Sequence, residues 1–197
     1  MTRILLASSS PYRRQLLDKL GLCFDHASPN TDETPQINES PYALAERLSI
    51  AKAEALSTSY PDHLIIGSDQ VAELNGKLLG KPGCHANAVD QLSRCSGNTV
   101  TFYTGICLRN TKTGRNQYQC DTYTVIFRHL TLQQIEHYVT QETPYDCAGS
   151  FKSEGLGISL FAAIKGEDPN SLVGLPLIKL TQMLLNEGVD VLSREIK

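Results

Sequence analysis

Ile4-Leu5-Leu6-Ala7-Ser8-Ser9-Ser10-Pro11-Tyr12-Arg13-Arg14 decides the fold class. Four apolar residues in a row read as a short buried strand. Ser10 is a good N-cap and Pro11 suits the first helical position. Leu16, Leu17 and Leu20 then give a helical stripe that stops at Gly21. Strand, tight polar turn and helix follow one another within about twenty residues, the opening of an α/β protein.

The same alternation continues outward. Phe24 to Ala27 reads as a second strand, and the polar stretch 29–40 as a long loop, a kind that is often functional. Pro41 opens a helix to about Tyr60 with Leu44, Leu48, Ala51 and Ala55 on one face. Leu64 to Gly67 reads as a buried strand ending at Ser68-Asp69-Gln70. Val71 to Leu79 reads as a hairpin turning at Asn75-Gly76. A helix is expected over Ala86–Cys95, strands over Thr99–Leu108 and Tyr118–Phe127, and a helix capped by Thr131 to about Glu142. The glycine-rich passage Ala148–Gly157 reads as irregular, and Pro176–Glu187 as a last amphipathic helix. No repeat, low-complexity tract or clean linker divides the chain, so one domain over 1–197 is expected, with a mixed sheet and two lobes.

Composition narrows the partners. The net charge is −3, so no global positive field exists to hold a nucleic-acid backbone. The six cysteines form no CxxC pair, which fits reduced thiols in the cytoplasm rather than zinc or a disulfide scaffold. No apolar run approaches the ~18 residues of a membrane span. Any grip on an anion must come from a local cluster.

Several clusters qualify, and each also has a plain reading. The Ser8-Ser9-Ser10 turn offers helix N–H groups, hydroxyls and the charges of Arg13 and Arg14 to a phosphate; it also reads as an ordinary capped surface helix. Asp69, at a strand end, suits a metal ligand or a general base; it also reads as a turn former. Lys52 and Lys81, the latter stiffened by Pro82, suit phosphate; single lysines are usually solvated. Lys152 and Glu154 lie among glycines that permit close approach to a ligand, or simply form a loop. Glu33 is a possible metal carboxylate on the long loop. The five histidines show no ligand spacing. Phe102, Tyr103 and Phe127 read as core. There is neither a P-loop nor a Rossmann glycine fingerprint.

Together, Ala7 to Arg14, Glu33-Thr34-Pro35, Ala51-Lys52-Ala53, Gly67-Ser68-Asp69-Gln70-Val71, Gly80-Lys81-Pro82 and Ala148 to Gly157 resemble the Maf family of nucleoside triphosphate pyrophosphatases, in family order and over nearly the whole chain. The resemblance implies a Maf/ITPase-like fold: an elongated, twisted mixed sheet flanked by helices, with two lobes and a central cleft. It implies cleavage between the α- and β-phosphates, a divalent cation (Mg²⁺ or Mn²⁺) and a cytoplasmic homodimer. It makes Asp69 the proton acceptor, or with Glu33 a metal ligand. It places Ser8, Arg13, Arg14, Lys52 and Lys81 on the phosphates. Tyr12, Gln70 and Glu154, with Lys152 beside them, resemble the branch acting on 7-methyl-GTP rather than on dTTP and UTP. The methylated guanine is a cation. An aromatic at position 12 adds a cation–π term of ~0.5–2 kcal/mol, and a carboxylate at 154 answers both its charge and its N–H edge. Two alternatives stay open: a pyrophosphatase of other base preference, and a non-catalytic nucleotide sensor linked to cell division.

Overall fold

The computed structural model describes residues 2–193. The sheet has seven strands in the order β2-β1-β3-β5-β6-β7, with β4 paired to β3. The strands are β1 (Arg3–Ala7), β2 (Asp25–Ala27), β3 (His63–Leu74), β4 (Lys77–Leu79), β5 (Thr99–Asn110), β6 (Arg115–Phe127) and β7 (Phe161–Lys165). The helices are α1 (Pro11–Asp18), α2 (Pro41–Ala55), α3 (His85–Cys95), α4 (Leu132–Glu142), α5 (Pro169–Val173) and α6 (Leu177–Asn186). β1 runs parallel to β2 and β3, whereas β4 and β7 pair antiparallel with their neighbours. The sheet is therefore mixed, as expected.

The chain forms two compact units, each assembled from separated segments. The first contains the residues up to Asp69, Thr104–Asp121 and the chain from Asp168 onward. Its parallel strands are covered on both faces, which is why β1 is continuously apolar and buried from Ile4 to Ala7 rather than alternating. Ile4 and Leu6 pack into a cluster with Leu16 and Leu17 of α1 and with Leu180 and Leu184 of α6. Leu5 and Ala7 point the other way, onto Ala53 of α2.

Two glycines set how closely α2 approaches. A Cβ at Gly67 would lie 2.2 Å from the Ser49 carbonyl oxygen, and one at Gly105 would lie 2.4 Å from that of Ala45. The helix backbone therefore rests directly on β3 and β5, and this contact brings Lys52 over the strand that carries Asp69.

The second unit comprises Gln70–Tyr103 and Thr122–Glu167. Its core contains Phe102, Phe127, Phe151 and Phe161, stacked edge to face with neighbouring ring centroids 4.9–5.8 Å apart. Phe102 and Phe127 are thus core, as read from the sequence. Tyr103 is only half-buried. The β3–β4 hairpin turns at Asn75 and Gly76, both at positive φ (50° and 76°), as a two-residue primed turn requires.

Three readings of the sequence are corrected. The strand expected to stop at Gly67 continues unbroken to Leu74, so Asp69 lies in mid-strand rather than at a strand end. Polar side chains are tolerated inside because they are partnered: Ser68 Oγ lies 2.9 Å from the Gly105 oxygen and 3.0 Å from that of Gly174, and Asp69 pairs with Lys52. The helix expected to reach Tyr60 ends at Ala55. β7 and α5 lie outside the elements expected from the sequence; β7 is a short edge strand exposed along most of its length, and α5 is a five-residue helix.

Candidate functional site

In the first unit, β1 delivers a buried Ser8 whose Oγ accepts the Ser10 N–H at 3.1 Å. Ser10 in turn caps α1, its hydroxyl accepting the Arg13 N–H at 3.4 Å. Both serines therefore organise the helix N-terminus, where N–H groups and the dipole favour an anion. Arg13 is half-buried, and its Nε donates to the Gly174 carbonyl at 2.8 Å. Desolvation lowers the pKa of its guanidinium, while the carboxylates of Asp69 and Glu33 act in the opposite direction. Arg14 follows on the same turn, its backbone N–H closing the first helical bond to Ser10.

Lys52 is the centre of this cluster. Its Nζ lies 2.5 Å from Asp69 Oδ1 and 2.6 Å from Glu33 Oε1. The Lys52 and Asp69 side chains are 8% and 10% exposed, that of Glu33 57%. A buried ion pair of this kind costs desolvation and is poor evidence of a purely stabilising role. Two cations, Lys52 and Arg13, here balance two anions, Asp69 and Glu33. Such a balance can be redistributed when a polyanion arrives.

The long loop is strapped so that Glu33 stays in place. Arg47 of α2 binds Glu39 with Nε–Oε1 at 2.6 Å and Nη2–Oε2 at 2.9 Å, and also donates to the Thr34 carbonyl at 3.0 Å. Arg47, with the Gln36 N–H, holds the Glu39 carboxyl down at about 2, from an ordinary value of 4.5. Because the folded pKa is depressed, this contribution to loop stability is complete above pH 4.5 and is lost as pH falls through about 2. The Gln36 amide resonance should therefore titrate with a midpoint near 2, and in Arg47→Met that midpoint should rise toward 4.5. An unchanged midpoint in the variant would remove Arg47 as the cause.

The two carboxylates on Lys52 also fit a divalent cation by donor chemistry. Mg²⁺ prefers one or two carboxylates and completes its shell with water and phosphate oxygens. Glu33 and Asp69 converge on a single positive charge. Among the described residues no group of three or more His, Cys, Asp or Glu side chains is placed to hold a metal.

No sequence motif signals the network that supports Arg13. Asp121, 3% exposed, pairs with Lys179 Nζ at 2.9 Å and accepts from Ser171 Oγ. The Ser171 carbonyl accepts from Thr104 Oγ1 at 2.9 Å and from the Gly174 N–H at 3.1 Å. Gly174 sits at φ 122° and presents its carbonyl to Arg13 and Ser68. These residues are far apart in sequence and share no motif.

In the second unit, Lys81 is exposed on a fixed backbone. Gln91 Nε2 donates to the Gly80 carbonyl and Asn87 Nδ2 to that of Pro82, both at 2.9 Å. The Gly83 N–H donates to the Tyr145 carbonyl at 2.9 Å. Gln70 is half-buried on β3, and Glu154 is exposed on the glycine-rich loop. Lys152, read as a specificity residue, has its ammonium on the Glu142 carbonyl at 2.7 Å, where it fastens the loop. Tyr12 is half-buried on α1 in the first unit, next to Arg13.

Known proteins share this arrangement of sequence. A "7-methyl-GTP pyrophosphatase" of Alcanivorax borkumensis is 59% identical over 95% of each chain. One of the same name from Pseudomonas aeruginosa is 56% identical over 97% of this chain and all of its own. Among solved structures, the Ham1 protein of Staphylococcus aureus superposes with a TM-score of 0.52 over 95% of this chain and all of that one, at 14% identity. That likeness is one of fold. The family profile described as Maf-like protein matches residues 3–187, so it spans both units and every candidate residue above: the chain belongs to the Maf family.

Proposed function

We propose that this protein is a nucleoside triphosphate pyrophosphatase that hydrolyses 7-methyl-GTP to 7-methyl-GMP and pyrophosphate, removing a modified nucleotide from the pool. The observation that carries the reaction class is the Lys52 ammonium held between Asp69 and Glu33, beside Arg13 at a helix N-terminus. Ser8, Arg13 and Lys52 neutralise charge that builds on the phosphates in the transition state, and the exposed Lys81 ammonium also suits an anion. The Asp69 carboxylate takes the proton of the attacking water. Arrival of the phosphates gives Lys52 new anionic partners and releases Asp69 for that task. A bound divalent cation, held by Glu33 and Asp69, would shield phosphate charge and help the leaving pyrophosphate.

The base preference rests on Tyr12, Gln70 and Glu154. Tyr12 sits on the same helical turn as Arg13, and its π-face suits a cationic ring; the exposed Glu154 carboxylate suits a cationic base. High identity to two proteins named for this substrate supports the reading. A cytoplasmic homodimer belongs to the same proposal. No helix among the described residues is long and apolar enough to cross a membrane.

The test is pyrophosphate release from 7-methyl-GTP, GTP, dTTP and UTP. 7-methyl-GTP should be hydrolysed fastest; faster turnover of dTTP or UTP would overturn the substrate. Glu154→Gln should lower kcat/KM for 7-methyl-GTP about tenfold more than for GTP, the worth of a hydrogen bond to a charged group. Equal losses would mean that Glu154 does not read the methylated base.

A further inference from the structure

The loop that carries Glu154 is fixed at both ends by one helix terminus. At its start, the Lys152 N–H donates to the Tyr138 hydroxyl at 3.0 Å, and Lys152 Nζ donates to the Glu142 carbonyl at 2.7 Å. At its end, the Leu156 N–H donates to Glu142 Oε1 at 2.7 Å. Tyr138 and Glu142 lie one turn apart at the end of α4. A side chain at Gly157 is excluded by backbone, and one at Gly155 would displace the Glu142 carboxylate. A Cβ at Gly155 would lie 2.8 Å from Glu142 Oε1, and one at Gly157 would lie 2.2 Å from the Lys152 carbonyl oxygen. Between the two anchors only Ser153, Glu154 and Gly155 remain, and Glu154 projects into solvent.

We infer that Glu142, assisted by Tyr138 and Lys152, is a positioning residue for base selection: it holds the 152–156 loop so that Glu154 is presented in one orientation. The inference rests on the reading of Glu154 as the group that meets the methylated base. A carboxylate on an unanchored five-residue loop would meet any base with an entropic penalty. One held at both ends is preorganised, and a small misplacement is costly to recognition. The contacts of Glu142 fall on the 152–156 loop rather than on Ser8, Arg13, Lys52 or Asp69. Its effect is therefore on discrimination and not on phosphate chemistry.

The readout is the ratio of kcat/KM for 7-methyl-GTP to that for GTP, measured on the full chain. Glu142→Ala should lower this ratio at least about fivefold, toward the value of Glu154→Gln, with kcat/KM for GTP changed by less than about twofold. Glu142→Gln keeps an oxygen that accepts the Leu156 N–H and should restore most of the ratio. In a Glu154→Gln background, Glu142→Ala should lower the ratio no further, because the group it positions is gone. Should Glu142→Ala not fold, Tyr138→Phe removes one anchor while keeping the ring and is read in the same way. An unchanged ratio in Glu142→Ala, with a lowered one in Glu154→Gln, overturns the positioning role and leaves the base reading intact. Equal loss on both nucleotides makes Glu142 merely structural and also overturns it. An unchanged ratio in Glu154→Gln removes the base reading itself, and the inference with it.

Discussion

Asp69→Asn should reduce pyrophosphate release by about 10²–10⁴-fold, the range for loss of a positioned general base, while nucleotide still binds. Asparagine keeps the shape of the side chain in the middle of β3 and removes its charge and its basicity. Glu33 still lies 2.6 Å from the Lys52 ammonium, so the lysine keeps an anionic partner and the unit stays folded. Removing a negative charge near incoming phosphates does not weaken their attraction. Single-turnover release and calorimetric binding separate the two effects. A variant retaining more than about a tenth of wild-type turnover would exclude Asp69 as the base. The same variant separates an enzyme from a nucleotide sensor, because a sensor's cellular effect would survive a change that abolishes turnover.

Lys179→Met should destabilise the fold by about 3–5 kcal/mol, the usual cost of stranding one partner of a buried ion pair. The Asp121 side chain is 4% exposed and that of Lys179 17%. Without the ammonium, Asp121 keeps a hydroxyl from Ser171 and has little access to water. Urea denaturation gives the loss directly. Adding Asp121→Asn to Lys179→Met should recover much of it, since no charge is then left buried. A loss below about 1 kcal/mol would class the pair with surface salt bridges. Because Ser171 fixes the turn whose Gly174 carbonyl holds Arg13, the folded fraction of Lys179→Met should also show a raised KM.

Much of the local structure was legible. Ser10-Pro11 and Ser40-Pro41 mark the starts of α1 and α2 because an N-cap hydroxyl and a fixed φ are local chemistry. Asn75-Gly76 marks the hairpin for the same reason. Thr131 and Gln134 form the capping box that opens α4. β7 was not legible because Phe161 to Ile164 is a short apolar run next to a glycine-rich passage, and its pairing with β6 is set by tertiary contacts rather than by local chemistry. The end of β3 was misplaced because Ser68-Asp69-Gln70 looks like a turn until its partners are known.

The candidate site residues were legible for a different reason. Ser8, Arg13, Lys52, Asp69 and Lys81 each lie in a short motif, and the order of the motifs pointed to the family. What the sequence determined by itself was therefore local: where helices begin, where the chain turns, and which short segments carry charge. The tertiary structure decided the rest, namely that Lys52 bridges Asp69 and Glu33, that Asp121 and Lys179 underpin Arg13, and that Glu142 holds the loop of Glu154. Caps and turns depend on residues within four positions of one another. The bridge depends on how closely α2 rests on Gly67 and Gly105, while the buried pair and the loop anchor depend on which distant segments pack together, and that information lies in packing rather than in any one stretch of chain.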